Sequence, residues 1–197
     1  MTKYPFAPRR NPDRTAKPET DEEFHKRVIA CLEQLDPTDR LERAERHIWM
    51  GKHHVGVNGG YWERSETSAV LQEARSSYLH GNFVATLIPA LAYVEHVINA
   101  ALPLQPPKTR TLTMAAAIKQ ARVAELFLDD LLDGAAVLSD FRNPFVHRRD
   151  ADDPDTIGQR VRSRKSHPRM ILEQDARDAL LVMYGFFRYS FDPPLQP

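Results

Sequence analysis

Arg142-Asn143-Pro144-Phe145-Val146-His147 sets a fixed cation, an amide and an imidazole within one short stretch. Arginine keeps its proton at any physiological pH and presents a planar fork of donors that matches a phosphate. Histidine takes up and returns a proton near neutrality. The asparagine amide can orient either a phosphate or the imidazole. Together, Arg142, Asn143 and His147 suffice for phosphodiester chemistry without a metal. A plainer reading stands beside this one. In it, Arg142 caps a helix end and His147 is a surface histidine.

The side chains need a scaffold, and apolar spacing supplies one. Repeats of three and four residues predict helices over 22–35, 39–50, 65–80, 83–101, 112–127, 130–143 and 173–190. No run alternates with period two, apart from a hint at Val161-Arg162-Ser163-Arg164, so the class is all-α. Thr20-Asp21-Glu22-Glu23 opens the first helix with acids in its first turn. Asp36-Pro37 should stop that helix. Gly51 to Gly60 reads as a loop, and Gly81 separates the third and fourth helices. Pro144 lacks an N–H and clashes with the carbonyl of Asp140, so the motif helix should kink or end there. In a straight helix, positions five apart differ by about 140° and do not share a face. A break at Pro144 would either bring Arg142 and His147 to one side or leave the geometry unproductive. Residues 150–169 read as a polar loop.

The motif spacing resembles the Arg-x4-6-His motif of the HEPN superfamily. Two further stretches carry the likeness. Glu73-Ala74-Arg75-Ser76-Ser77-Tyr78-Leu79-His80-Gly81-Asn82-Phe83-Val84-Ala85 resembles the helix–glycine–helix start of that bundle. Ala92-Tyr93-Val94-Glu95-His96-Val97-Ile98 resembles its acid-bearing helix. The likeness covers about residues 65–190. It implies a HEPN-like helical bundle over 63–197 and does not cover the N-terminal part, where apolar spacing gives a helical extension over 21–62 and the prolines and basic residues of 1–20 give a flexible basic arm, a disordered leader or a nucleic-acid-binding one. It also implies a metal-independent endoribonuclease acting as a homodimer whose two motifs face each other. The ribose 2′-hydroxyl would attack phosphorus, Arg142 would stabilise the phosphate charge, and His147 would move the proton. Glu95 is the supporting carboxylate, either pairing with Arg142 and orienting it or standing as an exposed helix carboxylate. A toxin or defence role, with an antitoxin or other regulatory protein as partner, goes with that class. The alternative is a HEPN-like module that binds nucleotides or protein without catalysis.

RNA contacts fall to Arg148 and Arg149 beside the motif, and to Arg160, Arg162, Arg164 and Lys165 in a run with no acid, unless that run is a solvated loop neutralised by the aspartates of 150–155. Lys+Arg and Asp+Glu both total 27, so any attraction for RNA is local. A single cysteine, Cys31, rules out an internal disulfide and cysteine-based zinc, and its apolar surroundings make it a packing thiol. His47, His53 and His54 lack metal-site spacing, so neither metal nor cofactor is expected. The apolar run from Phe83 to Leu102 contains Pro89, Glu95, His96 and Asn99, too polar for a membrane span. Met1 to Thr20 has no signal-type apolar core, which points to the cytoplasm.

Overall fold

The computed structural model describes residues 20–53, 65–103 and 112–189. The described residues form seven helices and no strand: α1 (Asp21–His53), α2 (Ser65–Leu79), α3 (Phe83–Ala101), α4 (Met114–Val123), α5 (Asp129–Val146), α6 (Ile157–Arg164) and α7 (Pro168–Tyr189). The protein is all-α. The basic arm and the segment from His54 onward in the expected loop lie outside the described residues. Two compact units divide inside α1, between Ile48 and Trp49.

In the first unit, a capping box starts α1. Thr20 accepts from the Glu23 N–H at 3.3 Å, and Glu23 Oε2 accepts from the Thr20 N–H at 2.8 Å. The expected stop at Asp36-Pro37 does not occur: α1 runs straight through Pro37. A cluster of charges spans the site of the missing bond. Arg40 Nη2 donates to Asp36 Oδ2 at 2.9 Å, and Arg43 reaches both Asp36 Oδ1 at 2.6 Å and Asp39 Oδ1 at 2.5 Å. The hydrogen bonds from Arg40 and Arg43 hold the Asp36 carboxyl below the usual carboxylate range. The stripe expected to pack is partly bare, with Leu41 and Ile48 exposed. Cys31 is half-buried.

The second unit is built around α3, which packs against α2, α4, α5 and α7. Phe83, Leu87, Leu91, Val94 and Ile98 recur at three and four residues and face the core. By length and composition this helix could cross a membrane. Here its apolar face packs against Tyr78, Leu132, Leu180 and Phe186 in one core. The turn into α3 is fixed by Gly81 at φ 73°, where Gly81 N–H bonds Tyr78 O and Asn82 N–H bonds Ser77 O. The same pair of bonds closes α4 early. Glu125, at φ 52°, takes the left-handed position, so the helix ends at Val123 rather than 127. Thr113 caps its start.

Two glycines let α5 lie close on α7. A Cβ at Gly134 would stand 2.9 Å from Val182 Cγ2, and one at Gly185 would stand 2.5 Å from Leu131 Cδ1. Close approach at these points fixes the height of the motif-bearing end of α5 against the bundle.

Candidate functional site

Leu132, Ala135 and Leu138 form the buried face of α5, and Arg142 lies one turn beyond Leu138. That register draws its guanidinium along the bundle toward α3. Arg142 Nη1 stands 3.9 Å from Glu95 Oε2, with the two side chains 18% and 26% exposed. A second contact runs from Nη2 to Asn143 Oδ1 at 3.5 Å. Both are long for charge-assisted bonds. The Nε atom is buried with no hydrogen-bond partner among the described residues. The guanidinium is therefore held by two long contacts, with Nε enclosed by the bundle. One turn past Glu95, the part-buried Asn99 amide donates to the Glu95 carbonyl. In the sequence, Asn99 stands out merely as a polar interruption.

Pro144 neither ends α5 nor stops it at 143. The helix continues to Val146, and the His147 N–H closes the last bond onto Asn143 O at 2.8 Å. Proline costs one bond, to Asp140. The loss falls within a turn of the helix terminus, where it is tolerated. His147 is the C-terminal cap, at φ −129° and ψ 137°, where the chain turns to extended backbone. Its side chain is exposed. Among the described residues, no hydrogen bond or ion pair joins His147 to Arg142. The structure places them on one helix end without direct contact.

Arg148 and Arg149 follow, both exposed. With Asp150, Asp152, Asp153 and Pro154 they line an open depression of about 460 Å³. Its charge is mixed. Asp153 faces Arg149 at 3.9 Å and also accepts from the Asp155 N–H at 3.0 Å, which builds the turn into α6.

The expected polar loop over 150–169 contains α6, and the strand hint at Val161–Arg164 is helical. Thr156 caps it, accepting from Gln159 N–H at 3.5 Å. Arg160 is a correction to the expected RNA contacts. It is buried, donates from Nη1 to Asp175 Oδ2 at 2.7 Å, and bonds Asp175 Oδ1 through Nη2. Its guanidinium also lies 3.9 Å from the centre of the Phe141 ring. A cation held this way cannot face a strand of RNA. Arg162, Arg164 and Lys165 remain exposed.

Sequence reasoning misses Asp175. The signal that could have found it is a carboxylate inside an apolar run, since Ile171, Ala176, Ala179 and Leu180 surround it on the buried face of α7. Elsewhere, burial pushes the Tyr184 phenol up to about 12, so that hydroxyl stays protonated at neutral pH. Among the described residues, no three His, Cys, Asp or Glu side chains gather to hold a metal. His47 and His53 lie within α1, and His54 falls outside the described residues.

No family model, curated protein or solved structure matches the chain.

Proposed function

We propose that the protein is a metal-independent endoribonuclease of the HEPN type. One observation carries the reading: Arg142 stands 3.9 Å from Glu95 at the helix end that presents an exposed His147. Arg142 binds a non-bridging phosphate oxygen and stabilises the charge that grows there. The ribose 2′-oxygen attacks phosphorus, and the bond to the 5′-oxygen breaks. The 2′-hydroxyl proton goes to a base, and the leaving 5′-oxygen takes one from an acid. His147 is the group for either transfer. Asn143 orients the phosphate or the ring. The products are a 2′,3′-cyclic phosphate and a free 5′-hydroxyl. Two copies facing each other supply two imidazoles, one for each transfer, and zero net charge does not oppose that pairing. A cytoplasmic toxin or defence effector, held in check by a partner protein, fits this activity.

A second reading has one observation in its favour. Arg142 is mostly covered and ties α5 to α3, as a structural residue would in a nucleotide- or protein-binding module. Purified protein incubated with mixed RNA in EDTA separates the two. Wild type should cleave, and His147→Ala should be slower by roughly 10²-fold. Cleavage that needs a divalent metal, or equal inertness of both proteins on every RNA, makes the module the better account.

A further inference from the structure

We infer that α6 is the arm that holds the RNA backbone, and that Arg160 is the residue that positions it. The inference rests on the endoribonuclease reading and adds the substrate-holding element to it.

Many arginines elsewhere among the described residues are paired. Arg40 and Arg43 are paired with Asp36 and Asp39, Arg122 with Asp129 and Asp133, and Arg177 with Glu173. From Thr156 to Arg169 there is no acid. Arg162, Arg164 and Lys165 are exposed, and no carboxylate among the described residues pairs with them. Arg162 and Lys165 stand three apart, where like charges repel along a helix. Lys165 also adopts φ 49°, the left-handed conformation that glycine takes without strain. A helix of eight residues cannot support such repulsion on its own propensity.

Its anchors come from outside. Arg160 forks onto Asp175 of α7 and lies flat on Phe141 of α5. Arg164 reaches the same ring, at 5.9 Å. Phe141 is the residue before Arg142. The anchor therefore fastens an unneutralised cationic helix to the helical turn that carries the candidate site. What it lacks is a counter-charge, and the partner that supplies a row of fixed negative charges is a nucleic-acid strand. No aromatic residue lies on α6, so it offers bases no stacking platform. It should grip phosphates and be indifferent to base sequence.

The test uses the full chain carrying His147→Ala, in EDTA, with a fluorescent oligouridylate whose anisotropy is followed from low to high salt. Keeping the RNA uncut separates binding from cleavage. The expected result is that Arg162→Gln/Arg164→Gln/Lys165→Gln lowers the salt slope of log affinity by about 2, at ~0.7 per phosphate contact on a single strand. Oligocytidylate should behave like oligouridylate. Arg160→Lys keeps the charge but loses the fork. It should lower the slope in the same direction, whereas a loss of stability alone would leave the slope of the folded fraction unchanged. If Arg160→Lys does not fold, the surface triple variant decides. An unchanged slope in the triple variant overturns the inference and leaves those cations to another partner, such as an acidic protein surface. Binding that depends on α6 without any cleavage by the wild type would sink the nuclease reading while leaving the arm in place.

Discussion

Two arginines stand on either side of Phe141, and they are held in opposite ways. Arg160, at the contact of α6 with α7, is 5% exposed and gives both Nη atoms to Asp175, itself 2% exposed. Arg142, at the contact of α5 with α3, is 18% exposed and stands 3.9 Å from a Glu95 that is 26% exposed. The first pair is short, forked and dry. The second is long, single and half-wet. Burying a charge is costly unless it is paired, so an arginine forked through both Nη atoms onto a buried carboxylate serves the fold. An arginine held at arm's length keeps its donors for something else. Sequence alone places Arg142 on a helix end and Arg160 in a polar loop, and does not show that Arg160 is the buried one of the two.

The largest effect should come from breaking the tight pair. Asp175→Asn leaves Arg160 buried with its charge uncompensated, a loss of about 3–5 kcal/mol. Urea unfolding followed by circular dichroism reads it directly. A loss below about 1 kcal/mol would mean that the two contacts differ in distance but not in role.

The contrast also shows what the sequence could reveal. The repeat Phe83, Leu87, Leu91, Val94, Ile98 announced α3 with correct ends, and Ser65 and Gly81 bracketed α2 nearly as well. These elements are set by local periodicity and a glycine turn. Several misses are places where a distant or side-chain partner overrides a local rule. Pro37 should have ended a helix, but the Asp36, Asp39, Arg40 and Arg43 cluster spans it. α6 has too few apolar residues to show a face, and its one inward side chain is a cation. α7 begins at Pro168 instead of 173, because His167 Nδ1 accepts from the Arg169 N–H at 3.2 Å, a capping role seldom expected of histidine. At the candidate site, Arg142, Asn143, His147 and Glu95 were visible as residue types at suggestive spacing. The state of Arg160 was not, because its partner lies 15 residues away on another helix.

Next in size is the effect of the loose arginine on chemistry. Arg142→Ala should slow RNA cleavage by about 10²-fold, the scale of losing a donor to developing charge. Its stability should change by about 1 kcal/mol or less, because a long, partly exposed pair contributes little. Glu95→Gln should cost roughly fivefold in rate, by removing about 1 kcal/mol of positioning. RNA cleavage assays run beside thermal unfolding separate the two quantities. A large loss of stability with Arg142→Ala would make this arginine a second Arg160 and would favour the binding-module reading.

The smallest effect discriminates most finely. A double-mutant cycle of Glu95→Gln and Arg142→Gln isolates their coupling from whatever each side chain does alone. At 3.9 Å and partly in solvent, that coupling should be about 0.5 kcal/mol at roughly 0.1 M salt. Near 1 M salt the screening length falls to about 3 Å, shorter than the gap between the charges, and the coupling should fade toward zero. The matching cycle of Arg160→Gln and Asp175→Asn should keep most of its coupling at both salts, because no solvent reaches the space between those groups. Salt thus acts on one pair and spares the other. If the Glu95–Arg142 coupling proves large and insensitive to salt, Arg142 is held as firmly as Arg160, and its donors are not free for a phosphate.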